Sequence, residues 1–353
     1  MAGVSIVGGG TAGLFLAREL KEKGIASIVY EEHRELGKPV HDTGIFSKNL
    51  LEFVPGLKKI ALNTVKGAKL FSPGGKVVEL ARRENEAYVL DRDKLEKTLA
   101  KGLNVETGKK VEKLDFKSKY IVGADGTGSA VAKLAGFPEI NEWLLGLEYE
   151  IENTGTHGTD FVELYFGNQV APGFFAWIVP TDKTLRVGLA VNGKAKDYLD
   201  RFLSEKFGST EIIQTIGGLI PMRWREKIVK GNVALLGDAA GQVKPTTGGG
   251  VYMGMASAKI LARAISKGDL DLYEKEWMEK IMPELEHGLR IRNFLNRLSD
   301  SEIDKIFGIL ENEKIRNLIL AHGDMDRPSG LLKAALGNPA LIAEFLPYLK
   351  YLW

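Results

Sequence analysis

Cysteine is absent from the 353-residue chain. Its absence excludes disulfides, a thiolate nucleophile, thiolate-held zinc and any iron–sulfur cluster held by the chain's own cysteines. Electrons handled by such a protein sit on a bound cofactor or come from outside, and no metal site is read from the sequence. Long apolar runs are missing as well. No window approaches the roughly eighteen uninterrupted apolar residues of a membrane-spanning helix, and the opening MAGVSIVGGG has neither a basic n-region nor a cleavable apolar segment. Nor does one sign of charge dominate. Lysine and arginine number 48 against 46 aspartates and glutamates, interspersed along the chain, so a net charge of +2 offers no basic stripe for nucleic acid. With no internal repeat and no low-complexity linker, the expectation is a cytoplasmic, non-spanning protein of about two domains.

What is present begins at once. An apolar run, Val4–Val7, leads into Gly8-Gly9-Gly10-Thr11-Ala12-Gly13, and Leu14, Leu16, Ala17 and Leu20 continue at helical spacing to Gly24. A second apolar run, Ile25–Tyr30, ends in Glu31-Glu32. Strand, glycine-rich turn, helix, strand and acid form the first unit of a dinucleotide-binding fold. Gly8 makes the tight turn, Gly10 lets backbone approach a pyrophosphate, and Gly13 lets helix close on strand. The anion sits at a helix N-terminus, and Glu31 is placed to accept from a ribose diol.

Further on, Ala68–Val89 alternates around Ser72-Pro73-Gly74-Gly75 as two or three strands, and Asp91 caps a helix to Ala100. Tyr120–Val122 is a strand closed by Gly123-Ala124-Asp125-Gly126. The stretches 144–151, 160–166, 174–179 and 184–191 read as a β-rich insert. A last buried strand at 232–236 opens GDAAGQVKPTTGGG at Gly237–Gly250, and the rest is mainly helical. Asp238, at the carboxyl end of a strand, suits a sugar-like hydroxyl such as ribityl. Gly248-Gly249-Gly250 lets amides lie against a flat ligand at the start of a helix over 251–266, where a reduced flavin would place its negative charge. The plainer reading of these glycines is a turn that lets helices close together.

These residues carry a family resemblance. Gly8–Gly13, Gly123–Gly126 and Gly237-Asp238 resemble the three fingerprints of flavoproteins with the p-hydroxybenzoate hydroxylase fold, which bind FAD without a separate nicotinamide domain. GDAAGQVKPTTGGG, AYVLDRDKLEKTLA (Ala87–Ala100), YFGNQVAPGFFAWIVP (Tyr165–Pro180) and GDMDRPS (Gly323–Ser329) are similar, over nearly the whole chain, to the geranylgeranyl reductase family of archaea and photosynthetic organisms. The resemblance implies an α/β fold: a Rossmann-type FAD-binding domain over 1–66, 91–138 and 223–268, substrate-domain strands over 67–90, a β-rich substrate domain over 139–222 and a helical C-terminal region over 269–353. It implies FAD contacts at Gly8, Gly10, Thr11, Ala12, Gly13, Glu31, Glu32, Arg92, Ala124, Asp125, Gly126, Gly237, Asp238, Pro245, Gly248, Gly249 and Gly250. Arg92 would lie near the diphosphate or ribityl chain, while Asp125 and Asp238 would fix the ribityl and pyrophosphate region. Plainer roles are a surface helix residue for Arg92 and a turn former for Asp125.

The implied reaction saturates isolated double bonds of a prenyl lipid or prenyl diphosphate: hydride comes from flavin N5 and a proton reaches the other alkene carbon. The electron donor, NAD(P)H or ferredoxin, is external, because only one dinucleotide fingerprint is present. Many archaeal members carry a cysteine in the loop after the ribose-binding acid, where this chain has Lys38-Pro39-Val40-His41-Asp42-Thr43-Gly44. His41 and Asp42 are therefore the candidate catalytic residues, against the plainer reading of a solvent-exposed loop. Phe174, Phe175 and Trp177 are candidates to line an apolar tunnel, or belong to an ordinary core strand. The apolar end, with Leu341, Ile342, Phe345, Leu346, Tyr348, Leu349, Leu352 and Trp353, caps that tunnel, touches a membrane surface peripherally or docks onto the core. Two rival functions share the motifs: an FAD-dependent aromatic monooxygenase and a non-catalytic nucleotide-binding module.

Overall fold

In the first of two compact units (1–40, 91–143 and 220–286), the glycine-rich segments lie at the carboxyl end of a six-stranded sheet. The computed structural model describes residues 3–155 and 157–351. The strand order is Val229–Lys230, Val233–Leu235, Tyr120–Gly123, Val4–Val7, Ser27–Tyr30 and Val105–Glu106. All neighbours run parallel except the first pair. Val4–Val7 is flanked on one side by the strand that follows it through the Thr11–Glu22 helix and on the other by the Tyr120–Gly123 strand. The connections reverse direction there, and such switch points open a crevice for ligands beyond the strand ends. Val4, Ile6, Leu14, Leu16 and Leu20 are fully buried, which is why the apolar spacing changes from continuous in the strand to helical in the helix.

The second unit comprises 41–90, 144–219 and 287–353. Its seven-stranded sheet runs Ile212–Pro221, Trp143–Glu152, Thr184–Val191, Phe175–Pro180, Phe161–Phe166, Gly67–Phe71 and Val77–Ala81. One face packs Tyr149, Ile151, Ala176, Ile178, Val187 and Leu189 against Leu199, Phe202 and Leu203 of the Ala195–Phe207 helix. On the other face, Val162 and Val179 meet Val65, Ala87 and Val89 of a three-stranded sheet formed by Ile45–Ser47, Ala87–Leu90 and Ala61–Val65. Both faces of the large sheet are thus covered where the small sheet lies.

Two unit boundaries lie far from the expected ones, and those at 143/144 and 219/220 lie within a few residues of them. Residues 41–66 belong with the second unit, because Ile45–Ser47 and Ala61–Val65 both pair with Ala87–Leu90. Residues 269–286 belong with the first, where Tyr273 and Trp277 are fully buried and the Tyr273 hydroxyl donates to the Leu235 carbonyl. The Ala195–Phe207 helix and the Ile212–Pro221 strand were not expected inside the insert.

The chain end docks onto its own unit. Tyr348 is buried with Leu298 and Ile306, Phe345 packs beside them, and the Tyr351 hydroxyl donates to Glu302 at 2.6 Å. Leu352 and Trp353 lie outside the described residues. Among the described residues no helix is long and apolar enough to cross a membrane.

Candidate functional site

The candidate nucleotide site of the first unit is built on backbone rather than side chains. Gly8 has φ +108°, and a Cβ there would collide with the Ala124 carbonyl, while a Cβ at Gly13 would collide with the carbonyl of Gly8. Both glycines are therefore required by the close approach of strand, turn and helix. Gly10 differs: a Cβ there would meet no atom within 4 Å. It caps the Thr11–Glu22 helix without a side-chain hydrogen bond, and no acid stands in the first turn. The first amides of that helix are thus left for an anion, and the space beside Gly10 is where one fits.

A second helix start meets the first. The Val251–Lys267 helix begins at Gly250, again with no side-chain cap and no acid in its first turn. The Ala12 methyl lies 3.2 Å from the position a Cβ would take on either Gly237 or Gly254. Asp238 lies against Gly250, 2.5 Å from the place of a Cβ there. Pro245 is buried in the turn between, which Gly248 closes by donating its N–H to the Lys244 carbonyl at 2.9 Å. Gly10, Thr11, Ala12, Gly237, Asp238 and Gly248–Gly250 are brought together as two amide-rich helix starts flanking one carboxylate. That arrangement fits a flavin nucleotide, with a diphosphate on one helix start and an electron-rich ring on the other.

Other expected contacts have visible structural work. Glu31 is buried at the end of its strand and accepts from the Gly9 N–H at 2.7 Å and the His33 N–H at 2.9 Å, so it holds the glycine loop from beneath; Glu32 is exposed. Asp125 accepts from the Ser129 hydroxyl at 2.6 Å and the Val131 N–H at 3.0 Å, which ties down the start of the Ala130–Leu134 helix. Burial pushes its pKa up, against the lowering effect of those hydrogen bonds. Arg92 pairs with Glu96 at 2.9 Å, one turn along its own helix. Gly126 has φ +72° and open space around it.

The second unit contains the most perturbed acid of the chemistry-bearing region, and it was not among the sequence candidates. Glu148 lies in the Trp143–Glu152 strand and is 2% exposed. Its Oε2 accepts from the Thr43 hydroxyl and from the Trp177 indole N–H, both at 2.7 Å, while Oε1 is buried and has no hydrogen-bond partner among the described residues. Removal from water pushes its pKa up to about 7; Thr43, Trp177 and the Arg186 charge pull the other way, and the Asp42 carboxylate adds to the rise.

Register explains the grouping. Glu148 and Trp177 each pair with Gly188, on either side of the strand between them. All three occupy one row on the sheet face opposite the Ala195–Phe207 helix. A Cβ on Gly188 would stand 2.6 Å from the indole ring, so only glycine lets the ring lie across that strand to reach Glu148. Arg186, two residues before Gly188 on the same face, donates to the Thr43 carbonyl at 2.6 Å, which holds the 41–44 loop over the row.

Of the loop candidates, His41 is exposed and Asp42 accepts from the Gly44 N–H at 2.8 Å. Phe174 and Phe175 stack at 4.2 Å, and Phe175 and Trp177 meet edge to face at 6.2 Å. These three rings are half-buried, whereas Ala176 and Ile178 between and beyond them are fully buried in the helix-side core. Phe175 and Trp177 therefore lie on the second face of the strand, and Phe174 stacks on Phe175 from just before it to complete an aromatic strip.

Comparison with known proteins follows the same division. A family model for the geranylgeranyl reductase catalytic domain matches residues 144–220, and one for an NAD(P)-binding Rossmann-like domain matches residues 6–45. An uncharacterized protein of Methanocaldococcus jannaschii is 32% identical over 93% of this chain and 93% of its own. The digeranylgeranylglycerophospholipid reductase of the same organism is 30% identical over 86% of this chain and 89% of its own. Among solved structures, a geranylgeranyl bacteriochlorophyll reductase-like protein of Thermoplasma acidophilum is 25% identical, with a TM-score of 0.84 over 98% of both chains.

Proposed function

The chain belongs to the geranylgeranyl reductase family of flavin-dependent oxidoreductases, and from that footing we propose that it saturates the isolated double bonds of a geranylgeranyl-type lipid with FAD as its cofactor. The observation that carries this reading is the catalytic-domain match over 144–220, the segment that contains Glu148, the aromatic strip and Gly188. FAD rather than a smaller flavin is supported by Glu31: a carboxylate beside the glycine loop suits the ribose of an adenosine half, which FMN lacks.

When bound, the flavin supplies hydride. The chain's own contributions are amides at the starts of the Thr11–Glu22 and Val251–Lys267 helices to hold it, and Phe174, Phe175 and Trp177 to position an apolar chain and exclude water. Electrons enter from an external NAD(P)H- or ferredoxin-type donor. The lipid is taken from a membrane surface, for which Leu336 and Leu346, 74% and 62% exposed, offer apolar contacts.

The test is anaerobic. Dithionite-reduced protein is mixed with a geranylgeranyl lipid and the flavin absorbance followed. Reoxidation by the lipid alone supports the reading; a flavin that stays reduced until oxygen enters favours a monooxygenase instead.

A further inference from the structure

On the reductase reading, we infer that Glu148 is the acid that protonates the alkene. An isolated double bond has no carbonyl to polarise, so a proton must be presented to one carbon as hydride reaches the other. Among the described residues of the segment matched to the catalytic domain, Glu148 combines full burial with an oxygen that has no hydrogen-bond partner.

The hydrogen bonds assign the proton to one oxygen. Oε2 accepts from Thr43 and Trp177; the indole N–H can only donate, and a proton on Oε2 would have to displace the Thr43 hydrogen bond, whereas one on Oε1 leaves both hydrogen bonds intact. The neutral acid therefore carries its proton on Oε1. Trp177 belongs to the aromatic strip, so the acid is tethered to the same side chains that are to hold the prenyl chain. His41 and Asp42 do not meet these terms: His41 is exposed, and Asp42 is half-buried and already accepts from Gly44.

The step balances. The Glu148 O–H bond breaks and its proton bonds to one alkene carbon, while the other carbon takes the hydride supplied by the reduced flavin. The π bond is lost, two C–H bonds form, and oxidised flavin and a Glu148 carboxylate remain. Donation by Thr43 and Trp177 and the Arg186 charge stabilise that carboxylate, Asp42 opposes it, and Glu150 on the same strand face is drawn to Arg186 at 3.8 Å. Water then restores the proton. An acid whose pKa lies near 7 is matched to such a cycle at neutral pH.

The experiment is single-turnover reoxidation of the pre-reduced holoenzyme by a geranylgeranyl lipid, across pH, for wild type, Glu148→Gln and Glu148→Asp. Gln keeps an acceptor for Thr43 and Trp177 but has no acidic proton. The expected result is a wild-type rate that falls as pH rises through about 7, a Gln variant at least about 100-fold slower with no such limb, an Asp variant in between, and unchanged flavin reduction by dithionite in all three. A Gln variant at the wild-type rate, or a wild-type profile without the limb, overturns the assignment. A wild-type enzyme that the lipid never reoxidises overturns the reductase reading and this assignment together.

Discussion

The indole N–H of Trp177 donates to the Glu148 carboxyl across an intervening strand, at 2.7 Å, through the gap left by Gly188. The bond is part of what makes a buried acid tolerable, and its energetics depend on the charge of its acceptor. Hydrogen bonds to neutral groups contribute about 1 kcal/mol, and those to charged groups about 1.5–3 kcal/mol. Trp177→Phe should therefore lower stability more at about pH 8, where Glu148 is ionised, than at about pH 5, with a difference on the order of 1 kcal/mol in denaturant titrations. Equal losses at both pH values would mean that the ring acts by packing alone.

Glu148 also makes the fold itself sensitive to pH. Its folded pKa is raised from 4.5 to about 7, so between those values the folded chain keeps a proton that the unfolded chain has released. Stability from this group is complete below 4.5 and is lost as pH rises through about 7. The loss is on the order of 3 kcal/mol. Glu148→Gln should remove this slope, which chemical denaturation at several pH values will show.

Gly188→Ala places a methyl group where the indole lies. Overpacking of this kind costs about 1–3 kcal/mol. Because the ring must move off Glu148 and take away a hydrogen bond that lowers its pKa, the variant should also move the high-pH limb of reoxidation to higher pH. A stability loss with an unmoved limb would separate packing from the acid.

The glycines of the nucleotide loop should divide by role. At Gly10 a Cβ meets nothing, whereas at Gly8 it strikes the Ala124 carbonyl from a positive φ. Gly10→Ala should leave the apoprotein within about 0.5 kcal/mol of wild type but weaken FAD binding tenfold or more, about 1.4 kcal/mol. Gly8→Ala should fail in folding. Thermal melts of apoprotein and flavin titrations distinguish the two.

The nucleotide half was legible in the sequence because its chemistry lies in the backbone: glycines at fixed spacing between an apolar strand and an amphipathic helix admit few other structures. The acid was not. In LLGLEYEIE, Glu148 and Glu150 occupy the polar phase of an alternating strand, which ordinarily faces water. Here the three-stranded sheet covers part of that face and the 41–44 loop, held by Arg186, covers Glu148. The covering segments come from about a hundred residues earlier, and no local pattern reports them. The loop singled out in the sequence lies beside this acid, since Thr43 and Asp42 both act on Glu148. That residues 41–66 group with the second unit was not legible for a related reason: strands at 45–47 and 61–65 are short, and their partner at 87–90 is distant in sequence.

The most direct measurement is the mass of the lipid after incubation with reduced enzyme under argon and, separately, in air. The account predicts a gain of two hydrogens per double bond under argon, with no oxygen incorporated in either atmosphere. A lipid unchanged under argon that acquires an oxygen atom in air would contradict it.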